Sequence, residues 1–423
     1  MLSEYLVRIA RFNPVYRAFS HLAPESALRH AHGPLEGIAV SVKGNLPVAG
    51  LPWTEGSAVH AGRIASRDAA VVARVRAAGG VILGTTTLSE LAMYGVTNPF
   101  EPMGLNPWDP ERTAGGSSTG AGVAAALGMA RINIGSDSGG SIRNPACHCG
   151  VVGFMPRIGA LPLEGSPNHT PSLSTIGLIA PGVADVETAY RALAGDSSPA
   201  RPACRLLVPR PLIEKMCDDE TQALFSAALE RLSTAGFHCI DEDVPGWLEA
   251  ERAAGVISLF ECGQALARMD LSRAGEGIRA RAANAAKLTP ADVDEAKRKC
   301  AILRQTVTQR LHASGADAIA TPTWPFAAPP LAAQTVVVKG HAVRVDPYRN
   351  CFVRAANAFD ACAITLPMGL YPSAQVPAGL HLMANGGAEA ALLALARLAE
   401  AALPALPPPP ALRPAHLSRP ASR

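Results

Sequence analysis

From residue 33 onward the apolar positions of the chain recur in two alternating rhythms. Ile38, Val40 and Val42 alternate with Ala39, Ser41 and Lys43, a period of two that reads as a β-strand with Lys43 at its end, on the face opposite the aliphatic one. Between Asp68 and Ala78 the rhythm changes. Val71, Val72, Val75 and Ala78 fall on one side of a helix that Gly79-Gly80 would stop. Val81-Ile82-Leu83 then reads as a strand. A second cycle follows, with a helix over about 120–130, the alternating Ile132-Asn133-Ile134 and a glycine-rich turn. Repetition of strand, helix and strand predicts an α/β fold in which helices cover a sheet.

Residues 200–312 read as mostly helix. Thr289 is placed to cap, Pro290 to take the first helical position and Asp292 the first turn. Val293, Ala296, Cys300, Leu303 and Val307 then recur every three or four residues as one apolar stripe. Strand-like texture returns at Ala318-Ile319-Ala320 and Ala363-Ile364-Thr365. The sheet is therefore expected to resume over about 313–402, giving one large domain over 1–402. The Pro-rich stretch 403–423 has no apolar pattern to pack with and predicts a flexible tail.

Composition narrows the class. Of 423 residues, 48% are hydrophobic and only 17% charged, against roughly 25% charged in ordinary globular chains. That excludes a disordered chain, which could not offset its ordering entropy. The formal net charge of +3 is accounted for by Arg413, Arg419 and Arg423, since no acid lies beyond residue 400. A nucleic-acid binder of this size would show a basic surplus in its totals, so no nucleic-acid partner is expected. No apolar run reaches the roughly 18 residues of a membrane span. The N-terminal MLSEYLVRIARFNPVYRAF is broken by Glu4, Arg8 and Arg11 and lacks the pattern of a secretory leader. Nine cysteines, scattered from Cys147 to Cys362, form no pairing frame. These features predict a cytoplasmic protein without membrane partners, its thiols reduced and packed as small apolar groups.

Candidate chemistry lies in loops rich in serine and glycine. Gly116-Ser117-Ser118-Thr119-Gly120 fits the G-x-S-x-G nucleophile elbow, but an elbow needs a strand directly before it, and NPWDPERTAG stands there instead. The run GSDSGGSIR (135–143) does follow a strand. Its glycines permit positive φ, so Ser138-Gly139-Gly140-Ser141 can turn successive backbone N–H groups toward one developing oxyanion. A serine at the end of that run is placed to attack the carbonyl so polarised. Taken alone, the loop also reads as an ordinary glycine-rich turn. Cys147-His148-Cys149 has a single C-x-C and one histidine, short of the second ligand pair of a zinc site. Buried thiols are expected there, with no metal and no cofactor.

The segments GPLEGIAVSVKGN (33–45), GGSSTG (115–120) and GSDSGGSIRNPACHCGVVGF (135–154) together resemble, in order and spacing, the amidase signature family. DAAVVARVRAAGGVILGTTTLSELAM (68–93) resembles the helix–strand unit between the first two. SLSTIGLIAPGVAD (172–185), DAIATPTWP (317–325) and PAGLHLMA (377–384) are similar to downstream landmarks, so the likeness runs from about Gly33 to about Leu403. It implies a central mixed β-sheet covered by helices on both faces, with the signature core over about 33–195. It further implies that Ser141 is the nucleophile, Ser117, behind a cis peptide bond, the relay, and Lys43 the base. The backbone N–H groups of Ser138, Gly139, Gly140 and Ser141 would form the oxyanion hole. Ser118 would orient Lys43 by hydrogen bonding, and Asp137 and Arg143, which could in principle act in catalysis, are read as a structural pair that braces the loop. The implied reaction cleaves the C–N bond of a small-molecule carboxylic amide through an acyl-serine, releasing ammonia or amine. Serine becomes a good nucleophile only when a base takes its proton, and burial makes lysine such a base by disfavouring its charged form. Without the resemblance, Lys43 reads as a surface lysine with its stem on apolar neighbours.

Several positions depart from the usual family text. Ser136 and Ser138 stand where threonines are common, Met155 precedes Pro156 where a basic residue is frequent, Pro181 replaces a common arginine, and His381 a frequent glutamine. None touches Lys43, Ser117 or Ser141. They leave open the substrate, the oligomeric contacts (a homodimer among them) and the subfamily. Two alternatives remain. One is the amidase subunit of a glutamine-dependent tRNA amidotransferase, although RIGALPLEGSP (157–167) lacks the tyrosine-rich text associated with that subunit. The other is a catalytically inactive scaffold, against which the intact Lys43, Ser117 and Ser141 argue.

Overall fold

The computed structural model describes residues 2–28, 31–93, 98–195 and 202–413. Helix α1 (Leu2–Tyr16) leads into the edge strand β1 (Phe19–Leu22). The alternating segment forms β2 (Ala39–Lys43), and the helix and strand expected after it are α2 (Ala70–Ala77) and β3 (Val81–Thr86). The second cycle gives α3 (Thr119–Ala126) and β4 (Ile132–Asp137). Then come α4 (Arg143–Cys149), β5 (Val152–Met155), β6 (Thr175–Ala180) and α5 (Val183–Ala194).

Among its described residues the segment 200–312 holds two strands and five α-helices, the last of which continues to Ser314. The strands are β7 (Arg205–Val208) and β8 (His238–Asp241). The helices are α6 (Arg210–Met216), α7 (Asp219–Thr234), α8 (Trp247–Leu266), α9 (Glu276–Ala285) and α10 (Pro290–Ser314). At the start of α10, Thr289 and Asp292 form the reciprocal capping box. The sheet thus resumes earlier than expected, because four-residue strands such as RLLV are too short to show a rhythm. The chain continues through β9 (Ala318–Pro322) and a separate hairpin, β10 (Thr335–Val338) and β11 (His341–Arg344). A single helical turn α11 (Val345–Tyr348) and α12 (Arg354–Ala358) precede β12 (Cys362–Leu370), β13 (Pro377–Ala384) and α13 (Glu389–Ala402).

Eleven described strands make one mixed sheet in the order β1-β3-β2-β4-β6-β5-β12-β13-β9-β7-β8. Strands β3, β2 and β4 are parallel neighbours, as are β9, β7 and β8. Every pair between β4 and β9 is antiparallel. Period two does not mark a wet face in β2, where all five residues are buried. The reason is visible in the two cores. Val40, Val42 and Ile134 pack with Val71, Val72 and Val75 of α2 and with α5, whereas Ala39, Val81 and Leu83 pack with α3, α4 and Ile9 of α1. Helices therefore cover both faces, and the polar side chains of β2 and β4 are buried except for Ser136, which is half-buried.

The first half of the Pro-rich stretch does not behave as a free tail. Leu403 and Ala411 are buried, the Ala411 N–H donates to Pro107 O at 3.4 Å, and Ala411 joins the core that holds Ile9 and Phe12. Proline rings are apolar and lose little freedom on ordering, so a Pro-rich segment packs readily. The rest of the expected tail, 414–423, lies outside the described residues. All nine cysteines carry free thiols. Among the described residues no helix is long and apolar enough to cross a membrane.

Candidate active site

The site forms where strand direction changes. β4 is parallel to β2 and antiparallel to β6, and open α/β sheets bind ligands beyond the carboxyl ends of their strands at such points. Val42 lies opposite Ile134, so Lys43, one residue on, reaches the end of β4. Its side chain is wholly buried, with Nζ 2.7 Å from Ser117 Oγ, 2.9 Å from Ser136 Oγ and 3.2 Å from Ser136 O. Asn45 Nδ2 also donates to Ser136 Oγ, at 3.2 Å. Burial strips Lys43 of solvent and lowers its pKa to about 7, while the charge of Asp137 opposes the shift.

Ser117 and Ser118 precede α3, and the Gly116–Ser117 peptide is cis. Ser118 does not bond Lys43 directly, as the sequence had suggested. Its hydroxyl donates to Ser136 O at 3.3 Å, and its N–H to Ser141 O at 3.1 Å, so it ties the two serine loops together. Ser136, noted in the sequence only as a departure, is the residue that holds Lys43. The period-two pattern marks it as a strand position, but nothing in the sequence says which strand lies beside β2.

The turn from β4 into α4 is organised by Asp137, which is wholly buried. Its Oδ1 accepts the N–H groups of Gly139 at 3.1 Å and Gly140 at 2.7 Å, and its Oδ2 that of Ile142 at 3.0 Å. Two of the four amides expected to face an oxyanion are therefore turned inward. Those of Ser138 and Ser141 have no acceptor among the described residues. Gly140 sits at φ +108°, and a Cβ there would lie 2.5 Å from Val353 Cγ2, so no other residue fits. Arg143, also wholly buried, grips Asp137 through Nη2 at 3.0 Å and Nε at 3.1 Å. Burial alone would raise the Asp137 pKa, but the Arg143 charge and these hydrogen bonds hold it far below the usual carboxylate range.

Arg143 Nη1 also donates to Val353 O at 2.7 Å and meets His381 Nε2 at 3.0 Å. A guanidinium only donates, so His381 Nε2 is an acceptor and Nδ1 carries the proton, which faces Thr321 Oγ1 at 3.3 Å. Burial, then the Arg143 charge, pushes the His381 pKa well down. A neutral imidazole presents one donor and one acceptor, which explains how histidine serves where an amide is frequent.

Ser117, Ser136 and Ser141 open onto a cavity of about 380 Å³, within the range of small-molecule sites. Ser117 and Ser141 share this wall, with no hydrogen bond between their hydroxyls. His169, not singled out in the sequence, also lines the cavity. It is held 2.8 Å from the buried Glu55, which Arg63 also pairs at 2.6 Å. Cys147, His148 and Cys149 lie buried on α4 away from this wall, and burial raises the Cys147 thiol to about 12. Gly116–Gly120 has an irregular segment rather than a strand before it, so it lacks the elbow geometry.

The family profile Amidase matches residues 1–393. The chain is 30% identical over 476 aligned positions to a glutamyl-tRNA(Gln) amidotransferase subunit of Salinispora arenicola (strain CNS-205), covering 96% of this chain and 94% of that protein. The same subunit of Synechococcus sp. (strain JA-3-3Ab) is 33% identical, but that match covers 63% of this chain and only 58% of the relative, less than two thirds of its length. A solved crystal structure of an amidase superposes with a TM-score of 0.88 at 28% identity, covering 95% of both chains.

Proposed function

We propose, since the chain belongs to the amidase family, that it is an amidohydrolase cleaving the C–N bond of a small carboxylic amide through an acyl-enzyme on Ser141. The observation that carries this reading is Lys43, wholly buried, poised at a pKa of about 7 and 2.7 Å from Ser117 Oγ. A neutral amine has two N–H groups and one lone pair. With the N–H groups given to Ser136 O and Oγ, the lone pair is left for the Ser117 hydroxyl proton.

The steps then follow. Lys43 takes the Ser117 proton as Ser117 takes that of Ser141, and Ser141 Oγ bonds to the amide carbon. The Ser138 and Ser141 amides, which are not engaged elsewhere, receive the oxyanion. As the tetrahedral intermediate collapses, the C–N bond breaks and Ser117 hands its proton to the leaving nitrogen, drawing one from Lys43. Water, deprotonated through the same relay, releases the acid. The Ser117–Ser141 contact closes in this scheme when substrate enters, as catalytic hydrogen bonds in empty sites often do.

Fluorophosphonate labelling followed by peptide mass spectrometry tests the assignment. The expected label is on Ser141, with ammonia release lost in step with labelling. A label on Ser118 would move the nucleophile to the other loop and overturn the scheme. The pH profile is a second test. Only neutral Lys43 accepts a proton, so kcat/KM on an amide without ionisable groups is expected to rise through about pH 7 and level off above it. A profile already flat at pH 5.5 would remove Lys43 as the base.

A second reading, the amidase subunit of an amidotransferase, is favoured by the name carried by the Salinispora relative across nearly the whole chain. Purification from the native cell distinguishes the two. A stable partner, with glutaminase activity only in its presence, selects the subunit; ammonia release by the isolated chain selects the free-standing enzyme.

A further inference from the structure

The scheme above leaves three arginines on the cavity wall unused. Arg281 of α9, Arg349 just after α11 and Arg354 of α12 all line it. Two are neutralised. Arg354 Nη1 donates to Glu251 Oε1 at 2.6 Å, and Arg349 pairs with Asp346. Arg281 has no carboxylate partner among the described residues. Its Nη2 reaches only Ser258 Oγ at 3.0 Å and Cys262 Sγ at 3.5 Å, and its buried Nε donates to nothing.

A guanidinium carries five donors and does not shed its charge, and an unmatched buried donor in a native structure calls for a reason. The cluster also adjoins the reacting centre. A Cβ added to Gly139, in the nucleophile turn, would lie 3.2 Å from Arg354 Nε, and one added to Gly255 on α8 would lie 3.2 Å from Arg354 Nη1. The other ring on this wall, His169, is hydrogen-bonded to Glu55, which Arg63 also pairs. Three cations against two carboxylates leave a surplus of one positive charge facing the cavity.

We infer that the acyl part of the substrate ends in a carboxylate, which Arg281 receives. This rests on the amidase reading of the same site and names its substrate class: half-amides of dicarboxylic acids. A carboxylate rather than a phosphate matches a surplus of one, since a dianion would leave a negative charge buried and unpaired.

The test uses the full chain and a series of half-amides (malonamate, succinamate, glutaramate and adipamate), each beside its diamide, a neutral isostere. At least one half-amide is expected to exceed its diamide in kcat/KM by about 100-fold, the scale of a buried charge-assisted contact. In Arg281→Gln that ratio is expected to fall to about 1, and in Arg281→Lys to be partly kept. A variant that merely misfolds lowers both rates and leaves their ratio. Competition with fluorophosphonate labelling of Ser141 gives a readout without turnover, in which monocarboxylates of matching length (propionate to hexanoate), each carrying a single charge, slow labelling and their primary alcohols do not. Diamides and half-amides cleaved alike, or monocarboxylates that fail to compete, overturn the carboxylate and leave the amidase reading intact. No hydrolysis of any amide, with Ser141 unlabelled, overturns both.

Discussion

Lys43→Met is expected to lower kcat/KM for amide hydrolysis by about 10⁴-fold, the upper range for loss of a general base, while making the protein more stable. The catalytic loss follows from the environment of Ser117, whose hydroxyl has no hydrogen-bond partner other than Lys43 among the described residues. The gain in stability follows from the burial that makes Lys43 useful. A pKa lowered from 10.5 to about 7 corresponds to about 5 kcal/mol disfavouring the charged amine in the folded state. Methionine fills similar space without that penalty, and the Ser117 and Ser136 oxygens lose about 1 kcal/mol each of hydrogen bonding. A net gain of about 2 kcal/mol at pH 7 is expected. The pH dependence identifies its origin. Between about pH 7 and 10.5 the unfolded chain binds a proton at this position that the folded chain does not, so wild-type stability rises with pH across that window. The advantage of Lys43→Met should therefore shrink between pH 7 and pH 10 in urea unfolding. A constant difference would mean that Lys43 is not buried in its neutral form.

Arg143→Met is expected to destabilise the fold by about 3–5 kcal/mol, the range for removing one partner of a buried ion pair. It leaves Asp137 wholly buried and charged, with only backbone amides and Asn357 to compensate. Arg143 is absent from the cavity lining, so the damage reaches the site through the turn that Asp137 organises. Urea unfolding measures the first effect. The second should appear as slower fluorophosphonate labelling even at temperatures where the variant remains folded. Unchanged labelling in a folded Arg143→Met would limit the pair to stability.

The features legible in the sequence are those in which a local pattern and a chemical need coincide. The alternation ending at Lys43, the stop at Gly79-Gly80 and the cap at Thr289 each specify an element by short-range physics. Less legible were features that depend on a neighbour distant in the chain. Ser136 holds Lys43 only because β4 happens to lie beside β2, and β7 is a strand because β9 offers it an edge, as β7 in turn does for β8. Arg281 of α9 meets Arg349 and Arg354 from a segment about 70 residues away, and each is an ordinary charged residue in its own local context. The inward turn of the Gly139 and Gly140 amides was likewise hidden, since the loop permits either direction and Asp137 decides between them.

The wiring of Arg143 has a consequence for the order in which the protein is made. Lys43, Ser117 and Ser141 all leave the ribosome early, but Arg143, which steadies the turn that carries Ser141, is anchored to Val353, Asn357 and His381, the last of them 238 residues further on. At roughly 5–20 residues per second, roughly 10–50 s separate the synthesis of Arg143 from that of the last residue that anchors it. The turn that Asp137 organises therefore gains its full brace only when β13 is synthesised and docks.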